Sequence, residues 1–144
     1  MKKNFVLGLL FLLIVSACKK DTLDFSSNTY FGIEEFYESE NCDTECGEAA
    51  DCEGKLVKLK GTLDENNINE DIHQFWILDS KKEKISIAVV VDTLISTQVF
   101  EKIAEWRGKE IKVIGIVVGD DAPTNFTCNR LFSLKLSAVE DVSL

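Results

Sequence analysis

The chain has 144 residues, with 25 acidic residues against 16 basic ones and a formal net charge of −9. That length supports one domain with a real core and not two. Nucleic-acid affinity comes largely from basic groups that displace counterions from phosphates, so this charge balance disfavours nucleic acid as a partner. Acidity otherwise favours solubility and says little about fold.

In chain order, Lys2 and Lys3 precede an almost wholly apolar run, Phe5 to Val15. As a helix this run would span about 16 Å, short of the roughly 20 apolar residues that cross a bilayer. A basic start, a short apolar core and small residues at its end describe a secretory signal peptide. Ser16 and Ala17 are followed at once by Cys18. The stretch "LLIVSAC" resembles the lipobox of bacterial lipoproteins. That resemblance implies a signal peptide over residues 1–17, cleavage after Ala17, and fatty acylation, palmitate included, at Cys18. Acyl chains in pairs anchor a protein stably without spanning the membrane. In similar Gram-negative lipoproteins an Asp after the Cys favours the inner membrane. Lys19 stands there instead, which points to the outer membrane of the cell envelope.

Residues 18–50 read as a lipid-anchored tether and Cys-rich loop, with Lys19 to Ser27 flexible and a short helix over Tyr30 to Tyr37. With Cys18 acylated, Cys42, Cys46, Cys52 and Cys128 remain, and an even number in an oxidising compartment reads as two disulfides. Three connectivities exist. The favoured one is Cys42–Cys46 with Cys52–Cys128, the latter stapling the domain's start to a late loop and contributing roughly 4.5 kcal/mol in the chain-entropy model. A zinc site is the rival, but only one close Cys pair is present, so no metal and no cofactor is expected.

Residues 51–144 carry the clearest periodicity. "KLVKLKGTL" alternates, with Val57, Leu59, Gly61 and Leu63 on one face, as in a half-buried strand. "DENNINED" reads as a polar loop. "HQFWILDS" and "KISIAVVVD" read as a hairpin around "SKKE". The period then changes: Val99, Ile103 and Trp106 share one helix face, with Ser96 or Thr97 as cap and Gly108 at the stop. "KEIKVIGIVVG" is a fourth strand, "DDAPTN" a loop, and "LFSLKLSAVEDV" a fifth strand with Phe132, Leu134, Leu136 and Ala138 inward.

Three strands, a helix and two strands give a mainly β fold in the order of the OB-fold, a five-stranded Greek-key barrel with one helix between strands 3 and 4. "GKLVKLKGTL", "FWILDS" and "RGKEIKVIGIV" carry this resemblance over about residues 54 to 142, with Gly61 and Gly115 where strands would bend. An SH3-like barrel and an α+β sheet are the alternatives. The resemblance implies an oligonucleotide- or oligosaccharide-binding face on strands 2 and 3, flanked by the loops at residues 64–71 and 119–129.

The ligand-binding candidates are Trp76, an exposed indole being a stacking platform, with Lys58, Lys60, Lys112 and His73. The alternation leaves two arrangements open: Trp76 outward, or Phe75 outward with Trp76 in the core. Both flanking loops are acidic and would repel phosphates. "DTL" occurs twice and resembles an O-glycosylation motif of envelope proteins, which makes Thr22 and Thr93 candidate acceptors. No nucleophile–base pair, phosphate loop or H-E-x-x-H is present, and the acidic run lacks calcium-loop spacing. The chain is therefore expected to be non-enzymatic. Its partners would be the membrane through Cys18, and a small ligand, glycan or protein of the envelope. An oligonucleotide-binding module is the alternative.

Overall fold

The computed structural model describes residues 20–123 and 128–144. Cys18 and the apolar run before it lie outside the described residues. In chain order the elements are β1 (Phe31–Gly32), α1 (Ile33–Glu38), β2 (Leu56–Asn69), β3 (Gln74–Leu78), β4 (Ser86–Val91), α2 (Ser96–Ile103), β5 (Glu110–Pro123), β6 (Cys128–Leu136) and β7 (Val142–Ser143), with single 3-10 turns at Glu40–Cys42, Ala104–Trp106 and Val139–Asp141. The architecture is mainly β, as expected. Its sheet is mixed and has seven strands rather than five, in the order β1-β2-β3-β4-β6-β5-β7. The two unexpected strands are two residues each, too short for any side-chain alternation to announce them.

The long strands follow the alternation of the sequence. Val57, Leu59 and Leu63 of β2 are fully buried, as are Phe75 and Ile77 of β3 and Ile87 and Val89 of β4. Phe132, Leu134 and Leu136 of β6 point into the same core. β2 pairs antiparallel with β3 and with β5, so one strand serves two neighbours. β4 and β6 run parallel, and β6 pairs antiparallel with β5. The pairings therefore run from β2 through β3, β4, β6 and β5 back to β2.

Strand extents depart from expectation in two places. β2 continues to Asn69, through the residues read as a polar loop, with its register against β3 broken between Leu63 and Ile68. Asp64, only 8% exposed, folds that irregularity by accepting the backbone N–H of Asn66 (2.9 Å) and the amide of Asn67 (2.6 Å). Asp120 to Pro123, read as loop, pair with Cys128 to Leu131 and prolong the β5–β6 hairpin. Helix α2 buries Val99, Phe100 and Ile103 on one face. Ser96 is its first residue rather than its cap, the cap being Ile95, and its hydroxyl donates to the carbonyl of Thr93. Trp106 is packed only partly against the core, and Gly108 ends the segment at φ 71°.

Residues 20–50 are not a separate tether. Phe31, Ile33, Phe36, Cys42 and Ala50 share one core with residues 51–144, and Leu23 and Phe25 pack against it. The aromatic side chains supply apolar area that the polar composition of the segment conceals. Burial of one such ring stabilises by about 2–3 kcal/mol. Phe36 meets Phe132 edge-on at 6.0 Å, and α1 contributes the fully buried Ile33 and Phe36 to the core. Gly61 makes room for it: a Cβ there would fall 2.5 Å from the carbonyl oxygen of Leu78 and 2.7 Å from Ile33 Cδ1.

The disulfides are Cys42–Cys52 and Cys46–Cys128, which corrects the favoured pairing although all four cysteines are bonded. The 3-10 turn Glu40–Cys42 lays Cys42 in the core against Cys52, and the Cys52 N–H donates to the carbonyl of Asn41 (2.8 Å). Cys46 is left on the outside of the loop, facing the arm of the hairpin that begins at Cys128.

Candidate functional site

Alternation along β3 decides the orientation of its aromatics. Phe75 is fully buried and Trp76 is 37% exposed on the outer face, so the indole belongs to the surface. Trp76 sits opposite Ala88 in the β3–β4 register. Beside it the break in β2 swings Asn66 and Asn67 outward and leaves Asn69 opposite Gln74. Together with Ile68 and Ile72, Trp76, Asn66, Asn67, Asn69 and Gln74 line a shallow groove of about 210 Å³. Val90, Ile116, Val118 and Leu131 continue an exposed apolar band over the outer faces of β4, β5 and β6, interrupted by Ser133 and Lys135.

The other predicted residues are not gathered around Trp76. Lys58 donates to the carbonyl of Ser27 (3.2 Å) and to Asn28 (2.7 Å), and Lys112 lies over the ring of Tyr30 at 5.9 Å. Both lysines are thus occupied by the N-terminal segment. Lys60 lines a separate cleft among Glu34, Glu35 and Glu110, where carboxylates outnumber it. His73 is half-buried. It adopts φ 52°, in the left-handed region uncommon for a residue with a side chain, and faces the start of α2 with Glu70, Ser96, Thr97 and Glu101. Thr22 and Thr93 are both exposed, and the Thr22 hydroxyl donates to Glu40 (2.8 Å).

Two polar networks that the sequence did not announce hold the surroundings. Arg130 donates from Nε and Nη2 to the two oxygens of Glu53 (2.9 and 2.6 Å) and from Nη1 to Asp121 (2.9 Å). The guanidinium holds both carboxyls below their usual range, aided by the Ala50 N–H at Glu53 and the Gly47 N–H at Asp121. Gly119 leaves the space, since a Cβ there would fall 2.5 Å from the Glu53 carboxylate. At the opposite edge Asp79, 4% exposed, accepts the backbone N–H groups of Glu34, Lys81 and Lys82. Burial pushes the Asp79 carboxyl up, but these donors outweigh burial and hold it below the usual range. Burial pushes Tyr37 up to about 12, and its single hydroxyl proton lies within reach of the carbonyls of Ser86 (3.2 Å) and Phe132 (3.4 Å).

Among the described residues, Cys46, Asp121 and Cys128 bring potential metal-ligand atoms within 4.8 Å of one another, but the two sulfurs are bonded to each other and supply no thiolate. Among the described residues no helix is long and apolar enough to cross a membrane. The chain matches no known protein family, no curated protein and no solved structure. The groove lining could have been anticipated in part. The three asparagines of "ENNINE" are visible in the sequence, but a polar run reads as loop until the strand break brings it beside Trp76.

Proposed function

We propose that this chain is a lipid-anchored, non-catalytic protein of the cell envelope, whose OB-like barrel binds a small ligand, glycan or protein partner on its outer β3–β4 face. The observation that carries the reading is the outward placement of Trp76 beside a groove on that face. In support of the OB-like reading, the ring β2–β3–β4–β6–β5 has the strand order of that fold, with α2 between its third and fourth strands. Two disulfides suit an oxidising compartment. The stretch ending at Cys18 supports attachment by acyl chains, and Lys19 favours the outer membrane. Against the oligonucleotide alternative, Lys58 and Lys112 are engaged within the chain and Lys60 faces carboxylates.

Expression of the full chain and of Cys18→Ala in a Gram-negative host with labelled palmitate tests the anchor. The wild type should carry label and fractionate with membranes, and the variant should do neither. Label or membrane retention in Cys18→Ala would overturn the attachment.

A further inference from the structure

We infer that the groove beside Trp76 is a subsite for a neutral saccharide. The inference rests on the binding-module reading above and names its ligand class. The lining decides the chemistry: four amides (Asn66, Asn67, Asn69 and Gln74) share it with one indole and two isoleucines, Ile68 and Ile72, and no side chain in it is charged. An amide both donates and accepts, which matches a sugar hydroxyl, itself donor and acceptor. The flat apolar face of a pyranose needs a flat apolar partner, and the half-exposed indole of Trp76 supplies one.

Two of the amides are already held in place by one atom, leaving the other for a ligand. Asn67 donates from Nδ2 to Asp64 (2.6 Å), which keeps its carbonyl oxygen for the groove. Asn69 accepts at Oδ1 from the N–H groups of Asp71 (3.1 Å) and Ile72 (3.3 Å), which keeps its NH₂. Holding polar groups before the ligand arrives lowers the entropy cost of binding. Among the described residues the Asn66 and Gln74 side-chain amides have no hydrogen-bond partner.

The electrostatics exclude the rival ligand. No lysine or arginine lines the groove, and the chain as a whole carries a net charge of −9. A phosphodiester would find no cation in this groove on an acidic chain, whereas a neutral sugar loses nothing there. A few convergent polar groups around an apolar platform is the usual make-up of a small-molecule site.

The test uses the full chain, purified with disulfides intact in the sugar-free detergent lauryldimethylamine oxide. Cellohexaose, maltohexaose, chitohexaose and a twelve-residue oligothymidylate are titrated by calorimetry. At least one hexasaccharide should bind with little dependence on salt. Trp76→Ala should weaken it about tenfold or more, as loss of a central aromatic anchor does, and Trp76→Phe should restore part of the loss. Leu94→Ala, in the exposed turn between β4 and α2, should leave binding unchanged. Failure of every hexasaccharide to bind would overturn the inference, while the binding-face reading, which also admits a small ligand or a protein partner, would stand; Trp76-dependent binding of the oligothymidylate would overturn the inference in favour of the oligonucleotide alternative. Hexasaccharide binding that ignores Trp76→Ala would overturn the groove while leaving a binding module.

Discussion

Arg130→Met should loosen the β5–β6 hairpin from the Cys-rich loop, and the size of the effect can be worked from the contacts. The arginine side chain is 14% exposed and that of Glu53 16%, so the pair is largely withdrawn from water. Methionine keeps the apolar stem but removes three charge-assisted hydrogen bonds, two to Glu53 and one to Asp121. Hydrogen bonds to charged groups contribute about 1.5–3 kcal/mol each when fully withdrawn from water. Asp121 is 37% exposed and solvent takes over part of the loss there. Glu53 keeps only the N–H of Ala50 and is left as a nearly buried, unpaired carboxylate. A total of about 2–3 kcal/mol follows, which for a domain of this size lowers Tm by about 10 °C. The Cys46–Cys128 bond still ties the same two segments, so the variant should unfold in one transition under non-reducing conditions. Differential scanning calorimetry across pH supplies a second check. The folded pKa values of Glu53 and Asp121 are both lowered, so their stabilisation is complete above their ordinary values of 4.5 and 3.8 and is lost as pH falls through the folded ones. The gap in Tm between wild type and variant should therefore be constant near neutrality and narrow below about pH 4. A gap under about 2 °C at pH 7, or one that persists unchanged at pH 2–3, would refute the reasoning.

Two further outcomes follow from the packing of α1. Gly61→Ala would push a methyl group against the Leu78 carbonyl and Ile33, and since the backbone oxygen cannot move aside, a loss of about 2–3 kcal/mol is expected in urea unfolding; an unchanged midpoint would show that α1 does not press on β2. Asp79→Asn replaces one acceptor oxygen with an NH₂ aimed at backbone donors and should cost about 1–3 kcal/mol at neutral pH. Because the folded Asp79 pKa is lowered, that cost should shrink as pH falls through it, and equal stability of the two proteins at pH 7 would remove Asp79 from its role in holding α1.

Much of the β architecture was legible because alternation is a local property. A side chain two positions along a strand returns to the same face, so "KLVKLKGTL", "HQFWILDS" and "LFSLKLS" each declare their buried side without knowledge of a partner. The change to a helical period at Val99, Phe100 and Ile103 is equally local. What remained hidden is set by distance across the fold. The two-residue strands Phe31–Gly32 and Val142–Ser143 exist only because β2 and β5 offer them an edge. The N-terminal segment looked too polar to order, yet Phe25, Phe31 and Phe36 find one another and Phe132 in space.

The candidate site divides in the same way. The sequence by itself determined which residues alternate along β3, that one of Phe75 and Trp76 must face outward, and that four cysteines would pair. Only the tertiary structure decided which aromatic it was, because only the side of β3 that meets α2 and Phe100 becomes core. It also decided which cysteines pair, since a disulfide needs Cα atoms about 4.4–6.8 Å apart, met here at 5.3 and 5.8 Å by pairs 10 and 82 residues apart. The lysines show the same dependence most plainly: their spacing on alternate positions was visible, but a charge is available to a ligand only if the rest of the chain leaves it free, and Ser27, Asn28 and Tyr30 do not.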